Sequence, residues 1–162
     1  MIKIFDNLIS SKLQLEIHKE VLSLKYYSEK DFPNDEISVG FSSDIDKNGF
    51  IYRCFSNIFL NIPEIQNKYL HRLYVNKFLP KEIPVFHVDY NTEDSYTVLY
   101  YSSDKKFNLN QFGETQFYLS EVDEVKGILA KPGRIVIFNS NILHRATSFK
   151  DYDRYTIAFK FK

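Results

Sequence analysis

Four residues of this 162-residue chain are of the right types and spacings to do chemistry together: His87, Asp89, His144 and Arg154. The first two lie in the stretch "PVFHVDYNTEDS", Pro84 to Ser95. Side chains alternate along a strand, so residues two apart share a face. A His-x-Asp alone is weak, since about one chain in five of this size contains one by chance. A strand with one face in water explains the pair equally well. His144, 55 residues after Asp89, and Arg154, ten residues after His144, change the balance. Two imidazoles and one carboxylate form a donor set for a divalent transition metal and leave its opposite face open for other ligands. An arginine guanidinium matches a carboxylate bidentately and keeps its charge.

For these residues to meet, strands distant in sequence must lie side by side, and the sequence supplies such strands. From His71 onward, short runs rich in Tyr, Val, Ile, Phe and Thr alternate with turn residues. The runs are "HRLYVNKFL", "IPVFHVDY", "SYTVLYYS", "ETQFYL", "VKGIL", "RIVIF", "ILHRATS" and "RYTIAFKF". Eight strands so spaced predict an antiparallel sandwich or jelly roll. Gly113, Pro132 and Gly133 read as turn residues.

Ahead of the strands the pattern is helical. "IKIF" (Ile2 to Phe5) reads as a short strand, and "SSKLQLEIHKEVLSLKYY" as a helix with Leu13, Ile17, Val21 and Leu24 on its buried stripe. Ser11 and Gln14 fit a capping box, and His18, at the edge of the stripe, reads as a surface residue. A polar stretch from Phe32 to Gly49, with a strand over "ISVGFSS", precedes a second helix over Ile51 to Leu60. A third short helix is expected to end near Leu70.

Composition bounds the function. The length suits one domain, residues 1–162. Twenty-one basic residues balance 21 acidic ones, which counts against a dedicated nucleic-acid binder. The single cysteine, Cys54, rules out an internal disulfide and a multi-cysteine zinc site, and reads as a buried inert thiol. No stretch approaches the ~20 apolar residues of a membrane span, and the N-terminus has no signal-peptide pattern. A soluble cytoplasmic protein is expected, with no membrane partner. The chain's 12 Tyr and 15 Phe can fill the core, or can line a dry barrel mouth.

In the pieces "FHVDY", "TVLYYSS", "GETQFY", "KPGRIVIFNSNILHRA" and "RYTIAF", taken in order, the sequence resembles the Fe(II)- and 2-oxoglutarate-dependent dioxygenases, nearest the prolyl-hydroxylase-like branch. The resemblance covers about Leu73 to Phe161; ahead of it, the chain matches only in having helices before the barrel. It implies a mainly β fold, a double-stranded β-helix (jelly roll) with the N-terminal helices packed on one face. It implies that His87, Asp89 and His144 bind Fe(II). Arg154 would pair with the distal carboxylate of 2-oxoglutarate, joined by Thr156 on its face. Tyr101 resembles a tyrosine that helps hold that carboxylate in related hydroxylases, and Thr97 shares its face; both can also be ordinary strand residues. Tyr74 and Asn76 would line the cosubstrate pocket. Arg145, facing away from His144, would serve structure or the rim, and His71 would be structural. One departure is visible: related hydroxylases often carry two glycines before the "ET" pair, where this chain has Phe112 and Gly113.

The activity so implied is oxidative decarboxylation of 2-oxoglutarate with O2, coupled to hydroxylation of a C–H bond, with ascorbate as an optional reductant. The nearest analogy for substrate is a prolyl or other amino-acid side chain, in a peptide or as a small molecule. Oxidation of a modified nucleobase or small metabolite, and a non-catalytic metal-binding jelly-roll module, are the alternatives. Segments Glu29 to Asp46 and Asp104 to Phe112 are expected to be loops near the barrel mouth that set specificity.

Overall fold

A computed structural model describes residues 1–28 and 39–162. Residues 29–38, the first part of the loop expected from Glu29 to Asp46 and the start of the "ISVGFSS" strand, therefore lie outside the described residues, while Phe41 to Asp44 within that span form a strand. The elements are strand β1 (Ile2–Phe5), helix α1 (Ser11–Ser23), and strands β2 (Tyr27–Ser28) and β3 (Phe41–Asp44). Helix α2 (Phe50–Phe59) follows, then β4 (Leu70–Phe78), β5 (Tyr96–Ser102), β6 (Thr115–Leu119) and β7 (Glu124–Ile128). The chain ends with β8 (Ile135–Asn139), β9 (His144–Ala146) and β10 (Arg154–Phe161). Seven strands form one sheet in the order β1-β8-β5-β10-β4-β3-β2, and a smaller sheet runs β7-β6-β9. All pairings are antiparallel. This is the expected jelly roll.

Strand alternation divides the interior into two layers. From β5, β8 and β10, the residues Val98, Tyr100, Ile135, Ile137, Ile157 and Phe159 point outward, onto α1 and α2. Ile17 and Val21 of α1 and Phe55 and Phe59 of α2 meet them, with the Phe55 ring 4.9 Å from both Tyr100, which it meets edge-on, and Phe159, to which it is tilted. The intervening residues Leu99, Tyr101, Val136, Phe138 and Ala158 point between the two sheets and meet Phe117 of β6. The large sheet is thus buried on both faces. That is why its strands read as nearly unbroken apolar runs, and it puts the helices on one face as expected. Among the described residues, no helix is long and apolar enough to cross a membrane.

Several local expectations are corrected. The α1 N-cap is Ser10, whose hydroxyl accepts from Leu13 N, and Gln14 donates to the Ile9 carbonyl at 2.8 Å, so the Ser11–Gln14 capping box does not form. Pro63 to Asn67 form turns rather than a third helix, and the chain enters β4 at Leu70. "IPVFHVDY" is extended but not a regular strand. It joins the sheet through one bridge, His87 to His144, beside the outer edge of β9. Pro84 lacks an amide proton to extend the ladder, and Val85 and Val88 are exposed. Cys54 is half-buried against the helix-side core, and burial raises its thiol pKa, as an inert thiol requires.

His18 is not a surface residue. It is buried, its Nδ1 lies 3.0 Å from Ser102 Oγ at the end of β5, and its ring meets Tyr155 edge-on. Burial holds the imidazole below its ordinary value of 6.5, against the opposing pull of Asp104. A histidine whose folded pKa is depressed stabilises the fold fully above its unfolded pKa and loses that contribution as pH falls below it. Urea denaturation of the wild type should therefore show stability draining as pH drops from about 6.5 towards 5. His18→Asn should flatten that slope while lowering stability at pH 8.

Candidate metal and cosubstrate site

The site is built from one irregular segment and four strands. Main-chain hydrogen bonds hold the segment 82–89 at three points. Ser148 N donates to the Glu82 carbonyl at 3.1 Å, His87 and His144 exchange N–H···O bonds of 2.9 Å, and Asp89 N donates to the Ser140 carbonyl at 2.9 Å. This attachment places His87 and Asp89 beside His144 at the head of β9. One ligating atom from each of the three residues lies within 4.8 Å of the others.

Hydrogen bonds fix how the ligands face. His144 Nδ1 lies 2.8 Å from the Ile142 carbonyl and His87 Nδ1 lies 3.2 Å from the Val85 carbonyl. A carbonyl only accepts, so each Nδ1 carries the proton and each Nε2 presents a lone pair. The two Nε2 atoms face the Asp89 carboxylate, at 3.8 Å from Oδ1 for His87 and 3.6 Å from Oδ2 for His144. Phe138 and Phe117 pack on the His144 ring, at 4.6 and 5.9 Å between centroids. Burial pushes His144 down to about 4, against the pull of Asp89, so the imidazole is neutral at pH 7. Burial alone would raise the Asp89 carboxyl. The Lys160 charge and the hydrogen bonds from Lys160 and Thr97 outweigh it and hold the carboxyl well below the usual range. Two imidazole Nε2 atoms and an ionised carboxylate suit a divalent cation.

Below this cluster, in the same pocket, lies Arg154. It is 1% exposed, with Nε donating to the Gly113 carbonyl at 2.9 Å and Nη2 to Thr115 Oγ1 at 3.0 Å. No carboxylate pairs with it among the described residues. Thr156, one step along the same face of β10, also lines the pocket, and its buried Oγ1 has no hydrogen-bond partner there. A buried cation and an unsatisfied hydroxyl side by side are costly unless a ligand completes them. Gly113 makes the seat possible. Its φ is +82°, and a Cβ there would lie 2.3 Å from the Phe149 ring. Where related hydroxylases often have another glycine, Phe112 adopts φ +61°, with its side chain exposed.

The other expected residues fall at different depths. Tyr74 and Asn76 line the pocket from β4. Tyr101 sits behind Arg154, its ring centroid 5.3 Å from the guanidinium carbon and its hydroxyl donating to Thr115 Oγ1 at 2.7 Å. Thr97 is brought to Asp89 instead, donating to Oδ2 at 2.6 Å and lying 2.9 Å from Ser140 Oγ. Arg145 is at the rim, bonded to Gln116 and stacked over Phe86. His71 is exposed and packs edge-on against Tyr69 and Tyr90. Tyr90 is only half-buried, under the Lys162 ammonium, and is not a core residue.

A residue outside the expected set also reaches the cluster. Lys160, near the end of β10, is 5% exposed and lines the pocket. Its ammonium pairs directly with Asp89 Oδ2 and lies 3.3 Å from Thr97 Oγ1. The signal was parity: Lys160 is an even number of residues from Arg154, hence on the same face of a strand that is otherwise apolar there.

No family model matches the sequence, and no curated protein matches it. Solved structures do. A prolyl hydroxylase from Trichoplax adhaerens, in complex with a hypoxia inducible factor oxygen degradation domain peptide fragment, superposes with a TM-score of 0.78 at 17% identity, over 99% of this chain and 82% of that one. A Pseudomonas putida prolyl-4-hydroxylase gives 0.70 at 12% identity, over 99% and 91%. HygX from Streptomyces hygroscopicus, with nickel and 2-oxoglutarate bound, gives 0.71 at 11% identity, over 99% and 82%. The fold is that of the 2-oxoglutarate/Fe(II) oxygenases.

The buried Asp89–Lys160 pair has a consequence for stability. Removing one partner of such a pair strands the other charge and costs about 3–5 kcal/mol. Replacing both by apolar residues of similar volume is nearly neutral. In urea denaturation with chelator present, Asp89→Leu should lose about 3–5 kcal/mol, and Asp89→Leu combined with Lys160→Met should recover most of it.

Proposed function

We propose that this chain, as a single domain over residues 1–162, is an Fe(II)- and 2-oxoglutarate-dependent oxygenase that hydroxylates a C–H bond. The observation that carries the reading is the pairing, in one pocket, of the His87–Asp89–His144 cluster with an Arg154 guanidinium and a Thr156 hydroxyl that, among the described residues, have no carboxylate partner and no hydrogen-bond partner respectively. The fold shared with HygX, which is described with nickel and 2-oxoglutarate bound, supports the same reading.

In this assignment His87, Asp89 and His144 hold the iron. Arg154 and Thr156 take the distal carboxylate of 2-oxoglutarate, with Tyr101 and Thr115 setting the guanidinium plane and Tyr74 and Asn76 lining the pocket beside it. Bound iron and 2-oxoglutarate supply the oxidising power, drawing on O2 and releasing succinate and carbon dioxide. The chain's residues orient and shield. The proton on each Nδ1 is fixed by a carbonyl, so each imidazole would present its Nε2 to the iron. Phe117 and Phe138 fix the His144 ring and keep water from its inner side.

The substrate reaches the site from the side of His87, whose side chain is 42% exposed beside exposed Val85 and Val88. A peptidyl substrate, with proline the nearest analogy, or a free amino acid fits this open approach. The Trichoplax structure is described with a peptide bound, which favours the peptide.

Anaerobic addition of Fe(II) and 2-oxoglutarate should give a weak visible charge-transfer band. Arg154→Ala should raise the 2-oxoglutarate concentration for half-saturation at least about tenfold, since each charge-assisted bond is worth roughly 1.5–3 kcal/mol. Absence of the band, with no effect of Arg154→Ala, would sink the oxygenase reading. Succinate release measured over proline peptides, free amino acids and nucleic acids would then identify the substrate class. Turnover on a methylated nucleic acid but no peptide would reject the prolyl analogy.

A further inference from the structure

Lys160 has no part in the donor set, yet it touches that set directly. The register of β10 against β5 puts Lys160 opposite Thr97, on the face that points between the sheets. From there its ammonium and the Thr97 hydroxyl both engage Asp89 Oδ2, while the Tyr74 ring centroid lies 5.7 Å from the nitrogen. Asp89 Oδ1 receives no hydrogen bond among the described residues; His87 Nε2 faces it at 3.8 Å. The two carboxylate oxygens are therefore unlike. Oδ2 is occupied by two donors, and Oδ1 is left to the imidazole side.

The charge count follows. Acting as metal ligands, two imidazoles and one carboxylate give a set of charge −1. Lys160, buried against that carboxylate, brings the cluster to zero, and Arg154 adds a further positive charge in the same pocket. A divalent cation entering alone would raise the buried charge of the pocket from +1 to +3. Entering with a dianion, it would leave the pocket at +1. Water screens a buried cluster poorly, so this difference is felt in binding.

We infer that Lys160 is a positioning residue that fixes Oδ2 of Asp89 and cancels its charge, so that the site takes up a divalent cation weakly until 2-oxoglutarate joins it. This rests on the oxygenase reading above. It makes cosubstrate and metal mutually dependent, because coupling between two ligands is reciprocal. It also makes the metal-free protein stable with its carboxylate already paired.

The test is direct Mn(II) binding, followed by electron paramagnetic resonance of the free ion, with and without 2-oxoglutarate. The wild type should bind Mn(II) weakly alone and at least tenfold more tightly with 2-oxoglutarate. Lys160→Met should bind Mn(II) alone at least tenfold more tightly than the wild type, and 2-oxoglutarate should then add less. Lys160→Gln, which keeps a donor for Oδ2 and removes only the charge, should behave likewise and serves if the Met variant does not fold. A purely structural lysine would leave Mn(II) affinity unchanged or weaker in both variants, and that result overturns the inference while leaving the oxygenase reading intact. A wild type that binds no Mn(II) under either condition overturns both.

Discussion

A strand in the middle of a sheet that is covered on both sides must serve two environments at once, and β10 is that strand. Its odd-numbered side chains, Ile157, Phe159 and Phe161, join the helix-side core. Its even-numbered ones, Arg154, Thr156, Ala158 and Lys160, point between the sheets. The pleat allows no intermediate choice, because a slip of one residue would put phenylalanines into the pocket and charges against the helices. The seven-stranded order pins the register from both sides, with β5 and β4 paired along nearly the whole length of β10. The chemistry proposed for the pocket is therefore positioned by the packing of α1 and α2 on the opposite face.

The inner face of that strand carries two cations in an otherwise apolar layer, and they are treated differently. Lys160 is neutralised by Asp89. Arg154 is held by a carbonyl and a hydroxyl, which fix its direction without cancelling its charge. Burying a charge without an opposite one is unfavourable, and here the cost is borne at the point where an anionic ligand would relieve it. The structure keeps one electrostatic debt settled and the other open, and the open one faces the pocket.

Much of this was legible in the sequence. Short runs rich in Tyr, Val, Ile, Phe and Thr, set off by turn residues, marked most strands of the barrel, and the spacing from His87 through His144 to Arg154 marked residues that the fold brings into one pocket, because composition and turn residues are local signals. What the sequence concealed was tertiary. His18 looks like the polar edge of an amphipathic helix; only the end of β5, with Ser102 beneath it, makes it a buried residue. "IPVFHVDY" has strand composition, but the sheet offers it an edge rather than two neighbours, so it makes one bridge. Thr97 and Tyr101 share a face as parity requires, yet they lie at opposite ends of the pocket and contact different partners. Lys160 was visible in principle, by counting from Arg154, but a lysine next to the C-terminus of a chain invites the assumption that it is solvated.

The segment bearing His87 and Asp89 is fastened through amides and carbonyls at Glu82, His87 and Asp89. Main-chain fastenings are indifferent to side-chain identity, so Ile83, Val85 and Val88 can be exchanged widely without moving the two ligands. That lets the composition of the pocket's outer wall vary independently of His87 and Asp89. It gives a physical account of how this barrel superposes on structures with which it shares fewer than one residue in five.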